Sequence, residues 1–424
     1  MPHIKAKKNF LFDKVLRGLE GNALGCAMVE PMWALFAGMI FFYQPLFMKA
    51  LKLNEVQMGF LNSLAAAIAV FTSLIAGPIT DSLGRKRTTL LFDFVGWSLS
   101  MLLWGISQNF WFFLAAIGIN AFSKIPSTSW TCLAVEDMPL DKRPVFFGLI
   151  TIISTISGIF TPITGGFINN FGIIPTMRVL YILAFISMTS MFIIRNYYTE
   201  ETTVGKKLMK QHSGISFKER YKDYVSAMKY MVKNKLTVLI FIIIMLTNFQ
   251  LGFQYFLVIY LKDFIGISAG LTSLIPGVSA VVNLIVYLMF VPRLTKKGEA
   301  KGLFYGLIFC CFGSLTLLLV GFKGYSILLI STVFSAMGNM LMSIFRDTLW
   351  NNSIGEGERA KIFSAGQAIV SIIAIPSGIA AGYLYEIKAS YPFMVSLVIF
   401  IISLIISSII LIINKKAIKH LRSQ

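Results

Sequence analysis

Charge is what this sequence has least of. Only 13% of its 424 residues are Asp, Glu, Lys or Arg, against about 25% in an ordinary soluble chain. That is too little to solvate the surface of a soluble protein of this length. Histidine is nearly missing: His3, His212 and His420 all lie outside the apolar stretches. There is no H-E-x-x-H pair, no Ser/His/Asp arrangement and no phosphate-cradling glycine loop, so metalloprotease, triad and ATP-driven chemistry have no motif to stand on. The four cysteines (Cys26, Cys132, Cys310, Cys311) fall in apolar segments and read as small core residues, not as a disulfide framework. No metal site, cofactor or catalytic residue is expected. Composition alone sets aside a soluble enzyme, a disulfide scaffold and a disordered chain.

What the sequence has in abundance is long apolar runs, with 56% hydrophobic residues and mean hydropathy +0.75. A helix that crosses a bilayer needs about 20 mostly apolar residues. Stretches of that length fall at 22–48, 56–82, 88–107, 109–136, 144–170 and 175–196, then at 236–263, 267–293, 302–321, 325–352, 360–387 and 391–414. The expectation is an all-α membrane protein with 12 transmembrane helices. Residues 1–21 form an N-terminal segment, 22–196 a first six-helix bundle and 197–235 a linker. Residues 236–414 form a second bundle and 415–424 a tail. The first apolar run is long and lacks an A-x-A site, so it reads as a retained span, not a cleaved signal peptide.

The net charge of +19 follows from topology and needs no nucleic acid. With both termini cytoplasmic, most of the 38 Lys and Arg fall in cytoplasmic segments. Only Lys49, Lys52, Arg178, Lys262, Lys323 and Lys388 fall on the opposite face, the positive-inside pattern of a plasma (inner) membrane protein. The linker holds an amphipathic stretch in which Tyr221, Tyr224, Met228 and Met231 share a helical face. It is expected to lie on the lipid surface. The two halves also resemble each other at a shift of 216 residues: Leu133 with Leu349, Arg143 with Arg359, Phe147 with Phe363 and Gly166 with Gly382. Repeated halves are a transporter feature, with the binding site between them.

The most specific motif follows the second span: GPITDSLGRKRT, with Gly77, Asp81, Gly84, Arg85, Lys86 and Arg87. Gly84 permits a tight reversal between helices. Asp81 stands beside three cations at the membrane edge, where a partly desolvated ion pair gains strength. This block resembles the signature loop of the major facilitator superfamily, apart from Ser82, where a basic residue is usual. The likeness is closest to proton-coupled drug and metabolite transporters. It implies two pseudo-symmetric six-helix bundles and a loop that helps lock an inner gate. It also implies an acid at the end of span 4, which Glu136 matches (with Asp137 as the alternative) and which Arg143 follows. The second-half equivalent, VPRLTKKGEAKG, has lost the Asp. Span 5 keeps Pro162, Gly165 and Gly166, with Gly382 as the repeat partner. These are expected to bend and pack the helices.

Ionisable residues inside a bilayer usually face a cavity or a partner. The resemblance implies that spans 1, 4, 7 and 10 line the cavity. Glu30, Lys124, Arg346 and Asp347 sit on those spans, with Trp33, Phe41 and Gln44 on the face of Glu30. Asn120, Lys124 and Thr128 form one stripe, Gln250 and Gln254 another, and Asn339, Ser343 and Arg346 a third, each at helical spacing. These are the expected substrate and proton sites. Glu30 and Lys124 are within reach as a proton-sensitive or a static pair, while Asp93 on span 3 is expected to brace the basic loop. The expected function is secondary active transport of a small organic solute by alternating access, coupled to protons or to sodium, by a monomer in the bilayer. Export of amphipathic compounds and movement of an anionic or zwitterionic metabolite both fit. A transporter-like receptor and a membrane-embedded enzyme are the competing classes.

Overall fold

The computed structural model describes residues 19–139, 142–211, 231–232, 234–354 and 359–422. Of the amphipathic stretch of the linker, Tyr221, Tyr224 and Met228 lie outside them, while Met231 is described and is buried against the second half. Among the described residues there is no strand, because in lipid every backbone polar group must be paired within its own helix or within a closed barrel. Twelve helices are long and apolar enough to cross a membrane. They are span 1 Gly21–Ala50, span 2 Glu55–Leu83, span 3 Arg85–Ile106, span 4 Phe110–Val135, span 5 Val145–Phe171 and span 6 Ile173–Tyr198. In the second half come span 7 Lys235–Gln254, span 8 Ala269–Lys296, span 9 Glu299–Leu318, span 10 Tyr325–Asn352, span 11 Ala365–Ile387 and span 12 Tyr391–Asn414. Large apolar side chains such as Trp111, Phe71 and Leu288 are exposed on the outside, where lipid takes the place of a core.

The two halves repeat each other in contacts as well as in sequence. In the first half, span 1 packs on spans 5 and 6, span 3 on spans 4 and 6, and span 2 on span 4. In the second half, span 7 packs on spans 11 and 12, span 9 on spans 10 and 12, and span 8 on span 10. Each pair in one half has its counterpart six spans later. The halves meet along two seams, span 2 against span 11 and span 5 against span 8, which the same repeat exchanges.

Proline sets where the spans yield. Pro45, Pro126 and Pro162 each follow a short 3₁₀ stretch, at Phe41–Tyr43, Ala121–Ser123 and Gly158–Phe160. A proline has no N–H for the carbonyl four residues earlier, so the helix tightens just ahead of it. The tightened turn ahead of Pro162 is thus one of three, in spans 1, 4 and 5, whereas Pro31, Pro78 and Pro376 lie inside regular helix. The seventh span is shorter as a regular helix than its apolar run, ending at Gln254 and continuing as Leu257–Ile259 and a wider π turn at Tyr260–Phe264.

Glycine sets where the halves touch. A Cβ on Gly59 would stand 2.4 Å from the Gly378 carbonyl, and one on Gly382 2.5 Å from the Glu55 carbonyl. Ser63 joins this crossing, its Oγ accepting from the Ile379 N–H at 2.8 Å. On the other seam, Gly165 lies against Ser273 and the Tyr43 hydroxyl. Gly166 differs from expectation: nothing stands within 4 Å of where its Cβ would be, so it does not pack the seam. Helical periodicity turns it about a hundred degrees away from Gly165.

Inside the first half, Asp93 of span 3 and Arg195 of span 6 form a buried ion pair. The Arg195 guanidinium lies over the Phe192 ring, 5.2 Å from its centre. Asp93 thus ties two helices in the interior and does not brace the basic loop. Removing one member of a buried pair leaves an uncompensated charge and costs about 3–5 kcal/mol, whereas removing both is far milder. Arg195→Gln is therefore expected to lower the melting temperature in detergent clearly more than Asp93→Asn/Arg195→Gln does. Equal losses in the single and double variants would contradict this reading.

Candidate functional site

The loop after span 2 organises one end of the molecule, called here the basic end. Gly84 turns with φ +85°, a conformation that L side chains rarely adopt. Its Cβ position is 2.5 Å from a Glu201 carboxylate oxygen, a side-chain end that could shift, so it is the backbone conformation that demands glycine. The turn buries Arg85, 4% exposed. Its Nη1 donates to Asp81 at 3.0 Å, while Nε and Nη2 donate to Glu136 at 3.0–3.1 Å. A planar guanidinium can serve two carboxylates at once in this way. Asp137 instead accepts from the Thr203 N–H at 3.2 Å, so Glu136 and not Asp137 meets Arg85. Arg87 is exposed. The Arg143 Nε is buried without a hydrogen-bond partner among the described residues. Gly77, one turn before Asp81, is half-buried.

Sequence reasoning missed Glu201. Its two oxygens accept from the backbone N–H groups of Arg85 and Lys86, at 2.9 and 3.0 Å. It thereby caps the start of span 3, where unpaired N–H groups and the helix dipole favour a negative charge. Thr202 adds a hydroxyl donor to Glu136. The start of the linker, with its short helix Thr203–Gln211, is thus fastened to the basic loop. All partners of Arg85 named here belong to the first half or the linker, so in this arrangement the cluster ties spans 2, 3 and 4 to the linker and does not bridge the two halves.

The opposite, far end is where the halves are joined. The Tyr43 hydroxyl donates to the Ala269 carbonyl at 2.6 Å. Lys49 pairs with Glu55 at 2.6 Å and crosses to Asp263 at 2.8 Å, with the Tyr385 ring 5.9 Å away. The Gly270 N–H donates to Asn169 at 3.1 Å. Away from this end, the polar faces of spans 4 and 10 are open: Lys124, Ser127 and Thr128 are exposed, as are Asp347 and Asn351.

The expected substrate and proton residues divide into three groups. In the first half, Glu30 is half-buried, and the charges that act on it are Arg195 and Asp93. The Glu30–Lys124 pair expected from depth along the helices does not form: among the described residues no ion pair joins them within 4.0 Å. Depth alone cannot fix which face a residue occupies. Arg195, at the end of span 6, escaped notice because it read as part of the basic linker. Trp33 and Phe41 pack with Trp97 at centroid distances of 5.3 and 6.1 Å. Gln44 is half-buried beyond them, toward the far end. Asn120 donates to the Gly96 carbonyl at 2.9 Å, which joins spans 3 and 4, and the Thr128 hydroxyl bonds the Lys124 carbonyl at 3.2 Å.

In the second half, Arg346 donates to Asp347 at 2.9 Å and to the Thr247 hydroxyl at 2.8 Å. Ser343 bonds the carbonyl of Met340. The third group departs from the expected central cavity. Gln250, Gln254 and Asn339 line a cavity of about 180 Å³ enclosed by spans 7, 8, 9, 10 and 12, within the second half. Only Gln254 also reaches a cavity of about 370 Å³ between the halves, which Asn62 of span 2 and Ser377 of span 11 share.

Known proteins agree with this architecture. Residues 32–377 match the family model described as Major Facilitator Superfamily. Multidrug resistance protein MdtG of Serratia proteamaculans is 27% identical over 311 residues, covering 70% of this chain and 69% of that one. Multidrug resistance protein 2 of Bacillus subtilis is 30% identical over 162 residues, 37% of this chain and 40% of that one. The crystal structure of the nucleoside transporter NupG superposes with a TM-score of 0.69 at 17% identity, over 93% of this chain and 100% of that one. With its matching signature loop, repeated halves and 12 candidate spans, the chain belongs to the major facilitator superfamily: it is an integral, multi-pass membrane transporter and not an enzyme.

Proposed function

We propose that this transporter works by alternating access as a proton-coupled exporter of amphipathic compounds. The basic end faces the cytoplasm, as the positive-inside rule requires. The observation that carries the reading is the asymmetry of the two ends. Lys49–Asp263, Tyr43–Ala269 and the Gly59–Gly378 crossing hold the halves together at the far end, while the polar faces of spans 4 and 10 are exposed away from it. That is the arrangement of a carrier open to the cytoplasm.

Charge counting supports protons as the coupling ion. Glu30 of span 1 lies within electrostatic reach of the Asp93–Arg195 ion pair, though no ion pair joins it to Arg195 within 4.0 Å among the described residues, and the three make a group of two carboxylates and one guanidinium in the first half. With both acids ionised it carries one excess negative charge. A single bound proton makes it neutral, and neutrality is what a low-dielectric interior favours. Because Asp93 is already held by Arg195, Glu30 is the site for that proton. Span 6 packs here on spans 1 and 3, and Trp33 of span 1 meets Trp97 of span 3, so the proton's arrival is felt by three helices.

The relatives named for multidrug resistance favour amphipathic substrates, and so does the charge balance. Arg346 is neutralised by Asp347, which leaves Lys124 as a single cation with no ion pair within 4.0 Å among the described residues. An anionic metabolite bridging Lys124 and Arg346 therefore finds one cation where two were expected.

In proteoliposomes with ethidium as the transported probe, Glu30→Gln is expected to reduce uptake driven by a proton gradient at least tenfold, while ethidium binding persists. Undiminished proton-driven flux would refute the assignment. At the basic end, Arg85→Lys keeps the charge but cannot hold Asp81 and Glu136 together. It is expected to lose most of the flux at normal expression and normal detergent elution. Wild-type flux in that variant would show that the two-carboxylate geometry is dispensable.

A further inference from the structure

The cavity inside the second half is not explained by transport between the halves. It holds about 180 Å³, room for about six waters at about 30 Å³ each. It is walled by five different spans of one bundle. Its lining is rich in oxygen and nitrogen, yet among the described residues it contains no Asp, Glu, Lys or Arg.

The walls divide into fixed and available groups. Ser331 donates to the Gly313 carbonyl at 2.8 Å, Thr332 to Leu328 at 2.8 Å and Ser396 to Pro392 at 3.0 Å. These hydroxyls are engaged with backbone and hold the helices in place. Ser279, Ser314 and Ser335 line the same space. Asn283, from span 8, brings a side-chain amide to the same lining. Phe393 and Phe400 close one side and offer a carbon skeleton an apolar surface. Gln254 lies on both this cavity and the one between the halves, and its Oε1 accepts from the Gln250 Nε2 at 3.1 Å. It stands where a solute in the cleft would enter the bundle.

We propose that this cavity is a binding site for a small uncharged polyol, entered from the inter-half cleft past Gln254. Hydroxyl groups both donate and accept, which matches a wall of hydroxyls and amides. A net charge here would meet no counter-charge in a low-dielectric interior and is disfavoured. The site goes beyond the transport reading, which needs only the cleft, and the two are tested apart because binding is read in detergent with no gradient present.

The experiment is equilibrium dialysis of the purified full-length transporter with radiolabelled erythritol, a four-carbon polyol. The competitors are unlabelled erythritol and tartrate, its dianionic relative. The wild type is expected to bind saturably with one site per chain, and erythritol but not tartrate is expected to compete. Ser279→Leu fills the cavity and Asn283→Leu removes the amide. Each is expected to weaken binding at least tenfold while retaining the helical circular-dichroism spectrum and monodisperse elution, and either one alone, if folded, decides. Non-saturable uptake by the wild type would overturn the proposal, as would equal competition by tartrate or unchanged binding in a folded variant.

Discussion

Two helices that approach closely enough for backbone to touch backbone set the geometry of everything else. In a bilayer there is no hydrophobic force to press helices together, because lipid tails are as apolar as leucine. Close van der Waals contact and hydrogen bonds must do it. Gly59 and Ser63 of span 2 meet Gly378 and Gly382 of span 11 at four-residue spacing, so the small residues of each helix form a groove for the other. The contact sits toward the far end, where the Lys49–Asp263 bridge and the Tyr43–Ala269 bond reinforce it. Small residues serve a moving interface well. They hold the helices by shape, and when they separate they leave no large apolar side chain stranded in water.

The ionic cluster at the other end has a different task. Arg85 with Asp81 and Glu136, and Glu201 on the start of span 3, are all within the first half and its linker. They tie spans 2, 3 and 4 together at the basic end of that half and fasten the linker to it. The two halves meet at the seams of spans 2 with 11 and 5 with 8, where the proposed movement of one half against the other would fall. Spans 1, 4 and 5 tighten ahead of Pro45, Pro126 and Pro162, which marks where a helix in this half can flex.

The spans were legible because length and apolar content decide them, and their edges in the structure fall within a few residues of the apolar runs apart from the early end of span 7. In the Asp81–Arg85–Glu136 cluster, the loop members Asp81 and Arg85 were legible from their specific spacing, and Glu136 from the family resemblance that the loop carries. The crossing of Gly59 with Gly378 carried a readable signal, small residues four apart on both helices, but small residues are so frequent in membrane spans that nothing singled these out. The surroundings of Glu30 were not legible. Depth along the chain placed Lys124 within reach, but only rotation about each helix axis decides facing, and Arg195 was hidden among the basic residues of the linker. Gln250 and Asn339 lie on polar stripes as expected, yet a stripe says only that a face is wet, not which space it wets.

The central claim is that the two ends open and close in opposition. Double electron–electron resonance measures this directly. One spin-label pair would sit at the far end, on Phe60 and Tyr383, and the other at the basic end, on Leu83 and Asn352, all four being exposed positions. In nanodiscs, changing pH or adding ethidium is expected to shift the two distance distributions in opposite directions, the far-end distance lengthening as the basic-end distance shortens. Distances that stay fixed, or that lengthen together at both ends, would contradict the account.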